Sequence, residues 1–349
     1  MRCTCALRPG PIDVHTHFLP ATLPAAAGGA APAGWPSLEH PPACGHGLLR
    51  FGDGPPRRVL PALWDSDTRL RAMADERIGV QVLSPLPDLF GYTLPPRAGA
   101  DLCRHVNDAL AAVVAQGDGA FLGLGMLPLQ DLDLALQELE RIARELPLEG
   151  IEIGSHIAGV SPGDRRWDPL YAALERHGLA LFIHPAHPAG ADRVVGMPEL
   201  VPLITFPNES ALAAASLVSG GVLERFPQLH IAISHCGGGF AAVLPRLQHA
   251  WANVPAVRES MATAPAVAAR RLFYDTLTLA PGLLRHAIAS YGADRLLLGS
   301  DYPFPIGDRL AVHSLEAAVE DVSVREGLLR GNALTFLQPT FRCAESSKR

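Results

Sequence analysis

His15, His17, His184, His235 and Asp301 each stand at or near the C-terminal end of an apolar, strand-like run. The runs read Pro11-Ile-Asp-Val-His-Thr-His, Leu179-Ala-Leu-Phe-Ile-His, Leu229-His-Ile-Ala-Ile-Ser-His and Leu296-Leu-Leu-Gly-Ser-Asp. Imidazole nitrogens and carboxylate oxygens hold divalent ions such as zinc or manganese, and a catalytic site of this kind keeps one coordination position open. If the strands lie parallel in one closed sheet, their C-terminal ends share a rim and the five side chains converge on it. The pattern predicts an enzyme with a bound divalent metal and a histidine left over for proton transfer.

Taken singly, each residue has a plainer reading. His15 and His17 are two apart, so on a strand they share a face and point into a barrel; alone they would also suit a hydrogen-bonded surface pair. His184 precedes Pro185 and could equally be a core histidine, and His187, in the loop beyond, reads as solvent-facing or as a support for the ligands. Asp301 follows a buried run, where a carboxylate is costly unless paired or metal-bound; a salt-bridged loop aspartate is the alternative. His235 opens onto Cys236-Gly-Gly-Gly, glycines that let backbone approach a ligand closely. It is either a fourth nitrogen ligand or a proton carrier beside the metal, and the need for an open coordination position favours the carrier. Cys236 could be a nucleophile, but filling a small space at the strand end suits it better.

The lysine count bears on the number of metals. Two-metal sites on barrels often use a carboxylated lysine as bridge, and the one lysine here is Lys348, in the terminal tail. A single ion is the better expectation unless Glu152 bridges, and Glu152, in the middle of a strand, reads as a residue behind the ligands.

Eight short apolar runs, at 11–15, 79–84, 120–127, 150–155, 179–184, 229–235, 271–275 and 295–300, carry these residues. Helical patterns alternate with them at about 66–78, 99–117, 131–146, 166–178, 208–225, 239–251, 281–292 and 309–320. The clearest, from Asp131, places acids first, where the helix dipole favours them, and leucine or isoleucine at helical spacing. Strand then helix, eight times, predicts an α/β protein with a (β/α)8 TIM barrel. A doubly wound open sheet fits less well, since no glycine-rich phosphate loop follows the first strand. Residues 19–62, rich in Pro, Gly and Ala with a tight turn at Gly52-Asp-Gly, form an insertion after strand 1, expected to cover the active-site face. The chain, 1–349, reads as one barrel domain, with 343–349 as a tail.

Composition removes several function classes. The chain has 349 residues, is 48% hydrophobic, and carries a net charge of −6 without runs of either sign. No basic stripe suits nucleic acid or a membrane surface. No apolar run reaches the roughly 18–20 residues of a bilayer span, and the start lacks a secretory signal; a cytoplasmic enzyme is expected. Cys3, Cys5, Cys44, Cys103, Cys236 and Cys343 form no Cys-x-x-Cys pair, so neither a zinc ribbon nor a disulfide framework is indicated. Cys3 and Cys5 read as part of a frayed terminus.

Asp13-Val-His-Thr-His-Phe-Leu-Pro, His184-Pro, Ser234-His-Cys-Gly-Gly-Gly-Phe and Gly299-Ser-Asp-Tyr-Pro-Phe-Pro together resemble the amidohydrolase superfamily, and most closely its aminocarboxymuconate-semialdehyde decarboxylase branch. Gly123-Leu-Gly-Met-Leu-Pro-Leu-Gln, Gly150-Ile-Glu-Ile-Gly-Ser-His, Gly220-Gly-Val-Leu-Glu-Arg-Phe-Pro and Gly331-Asn-Ala add to it, in order from about residue 12 to 337. The resemblance implies His15, His17, His184 and Asp301 as metal ligands, usually to zinc, with manganese as the alternative. It implies His235 as the base that activates water at the metal. Two arginines would hold substrate carboxylates: Arg57, with Arg58 as its neighbour, and Arg246, which in the family reaches into a partner subunit and so implies a homodimer. The sequence departs from the branch where the tryptophan after His-Pro is Ala186, and where an aromatic cluster is replaced by Leu200, Val201 and Pro202. The metal site is therefore better matched than the substrate.

The leading expectation is a non-oxidative decarboxylase of a small carboxylated aromatic or muconate-type acid. A hydrolase of a lactone or amide would use the same site, and a metal-binding scaffold without turnover is the third reading.

Overall fold

The computed structural model describes residues 7–26, 30–41 and 45–338. Cys3, Cys5, Cys44, Cys343, Lys348 and the expected tail at 343–349 lie outside them. Strand β1 is Ile12–Phe18, followed by β2 (Pro36–Glu39), β3 (Gly47–Phe51) and β4 (Arg57–Val59). Then come β5 (Val80–Pro85), β6 (Phe121–Gly125), β7 (Gly150–Gly154), β8 (Ala180–His184), β9 (Ile231–Ile233), β10 (Phe273–Asp275) and β11 (Leu296–Leu297).

β1 and β5 to β11 form one parallel sheet in chain order. It is a TIM barrel, because backbone bonds join its first and last members: Val14 N–H donates to Leu298 O (2.8 Å), Asp301 N–H to His15 O (2.8 Å) and His17 N–H to Tyr302 O (2.7 Å). β2 to β4 form a separate antiparallel sheet inside the expected insertion, with the Gly52 turn joining β3 to β4.

Strand parity sorts the core into two layers. Ile12, Val14, Val80, Val82, Leu122, Leu124, Ala180, Phe182, Ala232, Phe273 and Leu297 pack together with Phe336 and Leu337 from the last helix. Alternate positions, such as Leu181, Ile183, Ile231, Ile233 and Leu296, join the surrounding helices in the larger cluster. The first set is the barrel interior.

β1 is irregular at the point that matters. Its pairing with β5 shifts between Asp13 and Thr16, so three steps on β1 match two on β5. The extra residue of a bulge changes which side chains face inward. Ile12 and Val14 therefore fill the interior, and beyond the shift His15 and His17 do so.

The helices fall near the expected places, with one instructive difference. The helix expected at 208–225 is Leu200–Ser219, with a short helix Val222–Arg225 after it. Pro202 lies in its first turn, where no intrahelical donor is needed, and Pro207 lies inside it. By length and composition this helix would pass for a bilayer span, which corrects the expectation that no segment does. In the fold it packs Ala213, Ala214, Leu217 and Val218 into the helix-facing core and buries Glu209.

Candidate metal centre

Because His15, His17, His184 and Asp301 sit at the same end of strands of one closed sheet, the barrel gathers them. One nitrogen or oxygen of each lies within 4.8 Å of the others, and all four residues are buried. His17 Nε2 is 2.9 Å from Asp301 Oδ1, and His15 Nε2 is 3.5 Å from the same oxygen. The three imidazole rings stand edge to face, with centroids 4.9–5.2 Å apart.

The hydrogen bonds around the rings leave particular nitrogens bare. His15 Nδ1 is 2.6 Å from Asp275 Oδ2, and His184 Nδ1 is 2.9 Å from Pro185 O. An acceptor at Nδ1 fixes the proton there, so Nε2 keeps its lone pair. His15 Nε2 and His184 Nε2 are buried and have no hydrogen-bond partner. Unpartnered buried lone pairs are costly, and two of them gathered within 4.8 Å of a carboxylate match the donor set of a divalent cation.

Electrostatics divide the histidines. Burial, together with the charge of His15, holds the His17 imidazole well below its ordinary range; burial with His17 and His15 does the same to His184. Both are neutral, as ligands must be. Burial also opposes charge on His15, but its hydrogen bond to Asp275 and the fields of Asp301, Asp275 and Asp13 outweigh it and raise its pKa. Burial raises Asp301 against the pull of His15 and His235.

His235 lies beside the cluster, with ring centroids 5.0 Å from His184 and 5.3 Å from His15. Its Nδ1 meets the Ser210 and Ser234 hydroxyls at 3.2 and 3.1 Å, leaving Nε2 as the other working nitrogen. Burial, then the charges of His184 and His15, depress its pKa to about 3, so it is neutral and able to accept a proton. His235 and Cys236 both adopt left-handed backbone, φ 54° each. Gly238 follows, and a Cβ there would lie 1.7 Å from Pro207 O; the loop therefore packs directly on the helix Leu200–Ser219. The Cys236 thiol is buried and pushed well up by that burial, which suits a filler and not a nucleophile.

Two cavities open at the cluster. One, of about 440 Å3, is lined by His17, His184, Asp301, Arg57, Phe206 and Phe304, among other mostly apolar residues. The other, of about 420 Å3, is lined by His235, Cys236, Gly238 and Leu279, and shares Phe206, Ile306 and Asp301 with the first. Arg57 thus reaches the metal-side cavity from β4, half-exposed and paired with Asp88 Oδ2 at 2.9 Å. Arg58 lines neither cavity. Arg246 is exposed on the helix Phe240–Asn253 and lines neither cavity of its own chain. His187 is exposed at the rim of the first, and Ala186 lies in its wall. Glu152 is fully buried in the barrel, both oxygens unpartnered, its pKa well raised by burial and by Asp301.

Two further carboxylates were not singled out from the sequence. Asp13 accepts from Ser300 N–H at 3.0 Å and from the Ser300 hydroxyl, tying β1 to the segment that carries Asp301. Asp275 accepts from His15 Nδ1, His235 N–H (2.8 Å), Cys236 N–H (2.6 Å) and Leu277 N–H (3.0 Å). The signal for Asp275 was present, since it too ends an apolar run, Leu272-Phe-Tyr-Asp. Gly299 makes room for it: a Cβ there would fall 2.7 Å from Asp275 Cβ and 3.0 Å from His15 Cβ.

Comparison with known proteins identifies the family. Residues 12–338 match a family model described as Amidohydrolase. A Dictyostelium discoideum 2-amino-3-carboxymuconate-6-semialdehyde decarboxylase is 35% identical, covering 93% of this chain and 91% of its own. A Rhodococcus jostii gamma-resorcylate decarboxylase is 31% identical over 68% of this chain and 77% of its own. Among solved structures, 5-carboxyvanillate decarboxylase from Sphingomonas paucimobilis superposes with a TM-score of 0.74 at 28% identity, covering 83% of this chain and 89% of that one.

Proposed function

The chain belongs to the amidohydrolase family, and from that premise we propose that it is a metal-dependent, non-oxidative decarboxylase of a small carboxylated aromatic or muconate-type acid. The observation that carries the proposal is the convergence of His15, His17, His184 and Asp301, with bare Nε2 atoms on two of the rings and His235 alongside. Three relatives that act as decarboxylases by name support the reaction class.

Loss of CO2 leaves an electron pair on carbon, so the site must grip a carboxylate, stabilise charge and return a proton. A divalent ion, zinc or manganese, held by the four ligands would supply the Lewis acid and an acidified water. His235, neutral at working pH, takes up a proton at Nε2 and delivers it to the substrate carbon. Arg57 offers a forked, charge-assisted pair of hydrogen bonds to a substrate carboxylate once it leaves Asp88. Phe206, Phe304, Val201 and Pro202 give the substrate an apolar wall and keep water out. Glu152, buried behind Asp301, serves as a support and not as a bridge to a second ion.

We further place the whole chain in one catalytic domain, with the segment 19–62 lying over the site, and the working unit as a cytoplasmic homodimer in which Arg246 serves the partner's site. The test is CO2 release from metal-loaded protein across a panel of carboxylated aromatic and muconate acids. Opening of lactones with no CO2 from any acid would overturn the proposal in favour of a hydrolase.

A further inference from the structure

Asp275 is buried at the end of β10, and both of its oxygens are fully used. Oδ2 takes His15 Nδ1 at 2.6 Å and His235 N–H at 2.8 Å, while Oδ1 takes Cys236 N–H at 2.6 Å and Leu277 N–H at 3.0 Å. Every partner is a donor, so the position requires a group that only accepts, at both ends.

Three of those bonds reach two different parts of the machinery. The first determines which nitrogen of His15 carries the proton, and so leaves Nε2 bare toward Asp301. The second and third hold consecutive non-glycine residues, His235 and Cys236, in left-handed backbone at φ 54° each. Such a conformation is unfavourable for a residue with a side chain and persists only where its surroundings enforce it. That turn carries the His235 ring to within 5.3 Å of the His15 ring.

We propose that Asp275 is the positioning residue that joins the two halves of the site: a single carboxylate fixes the ligating tautomer of His15 and the backbone turn that presents His235. The proposal rests on the metal-centre reading above, but not on the identity of the reaction.

Asp275→Asn separates the two roles from simple filling of space. The amide is isosteric, yet it turns one acceptor into a donor. Facing His15, the amide NH2 moves the imidazole proton to Nε2, where the ligand lone pair was, and leaves His235 N–H without an acceptor. Facing the other way, it opposes the Cys236 and Leu277 N–H groups and releases the turn. Removing the carboxylate partner of a ligating histidine weakens metal affinity by about 10–100-fold.

The experiment measures zinc affinity by competition with a chromophoric chelator, and histidine tautomers by 15N NMR, in the wild type and in Asp275→Asn. The His15 signals are identified by their absence in His15→Gln. At a pH where His15 is neutral, the wild-type apoprotein is expected to carry its single His15 proton on Nδ1. The variant is expected to bind zinc 10–100-fold more weakly and, at saturating zinc, to keep a turnover deficit that occupancy does not account for. A wild-type His15 with its proton on Nε2 would overturn the proposal, and so would an Asp275→Asn protein with wild-type zinc affinity. If the variant does not fold, the wild-type tautomer alone decides. The tautomer and the zinc affinity need no substrate, so a failed decarboxylation assay leaves the role of Asp275 standing or falling on those two.

Discussion

Asp301→Asn should be nearly neutral without metal and costly with it. In the apoprotein the Asp301 carboxylate is held at a cost, since burial raises its pKa against the pull of His15 and His235. Asparagine has the same shape, tolerates the left-handed backbone found there (φ 62°), and can still accept from His17 Nε2 through its oxygen. Without metal the variant should therefore melt within about 1 kcal/mol of the wild type, the scale of one net hydrogen bond. With metal the two should part. An ion present at a thousand times its Kd stabilises the wild type by about 4 kcal/mol. At roughly 2 °C per kcal/mol for a chain at the large end of the calibrated range, that is a rise of about 8 °C. A carboxylate ligand is worth at least the ~100-fold that bounds the effect of supporting residues, so the variant should retain less than about 3 °C of that rise. Thermal melts of chelator-treated protein, titrated with zinc or manganese, read both numbers. A variant that melts far below the apo wild type, or one that still gains the full shift with metal, would refute the reasoning.

Four other outcomes follow from the structure. His235→Ala should keep its metal, measured by elemental analysis, and lose about 10²–10⁴-fold in kcat, the usual range for a lost acid–base group; full activity would remove its role. Metal affinity should rise with pH: His15 has a raised pKa and is protonated below it, so each metal bound there displaces a proton and Kd tightens by about tenfold per pH unit until that pKa is passed. For the same reason His15 contributes apoprotein stability that is present below its ordinary pKa of 6.5 and is lost as pH rises through the raised value; chelator titrations and apo melts across pH 5–9 check both. Gly299→Ala should cost about 1–3 kcal/mol of stability by crowding Asp275 and His15, and should weaken metal binding as well; an unchanged melt with unchanged affinity contradicts it.

The barrel was legible because each strand is an apolar run that ends on a polar side chain, and parallel strands covered by helices read that way. The metal-ligand candidates came from the same signal. Other features were not legible for local reasons. The bulge in β1 leaves no mark in Asp13-Val-His-Thr-His, because apolar and polar residues already alternate there and the shift appears only in pairing with β5. Asp275 carries the same end-of-run signal but no neighbouring histidine or glycine motif; apart from Leu277 its partners lie about 40 and 260 residues away, and only folding brings them together. The start of the helix Leu200–Ser219 was hidden by Pro202 and Pro207, which punctuate a sequence but are tolerated here. The insertion showed its turn at Gly52 but not its three-stranded sheet, whose short strands carry little periodicity.

The join between β1 and the end of β11 is where the hoop of strands meets, and it is the place where His15 and His17 face Asp301. Asp301 N–H donates to His15 O, and His17 N–H to Tyr302 O, so ligands and seam are the same few residues. A cation gripped from both sides would act as a clasp between chain segments that are 284 residues apart at His17 and Asp301, restraining a loop that takes in most of the chain. Stripping it should then loosen the hoop at one place, with amide exchange quickening first at residues 14, 17 and 301 while the far side of the barrel stays shut.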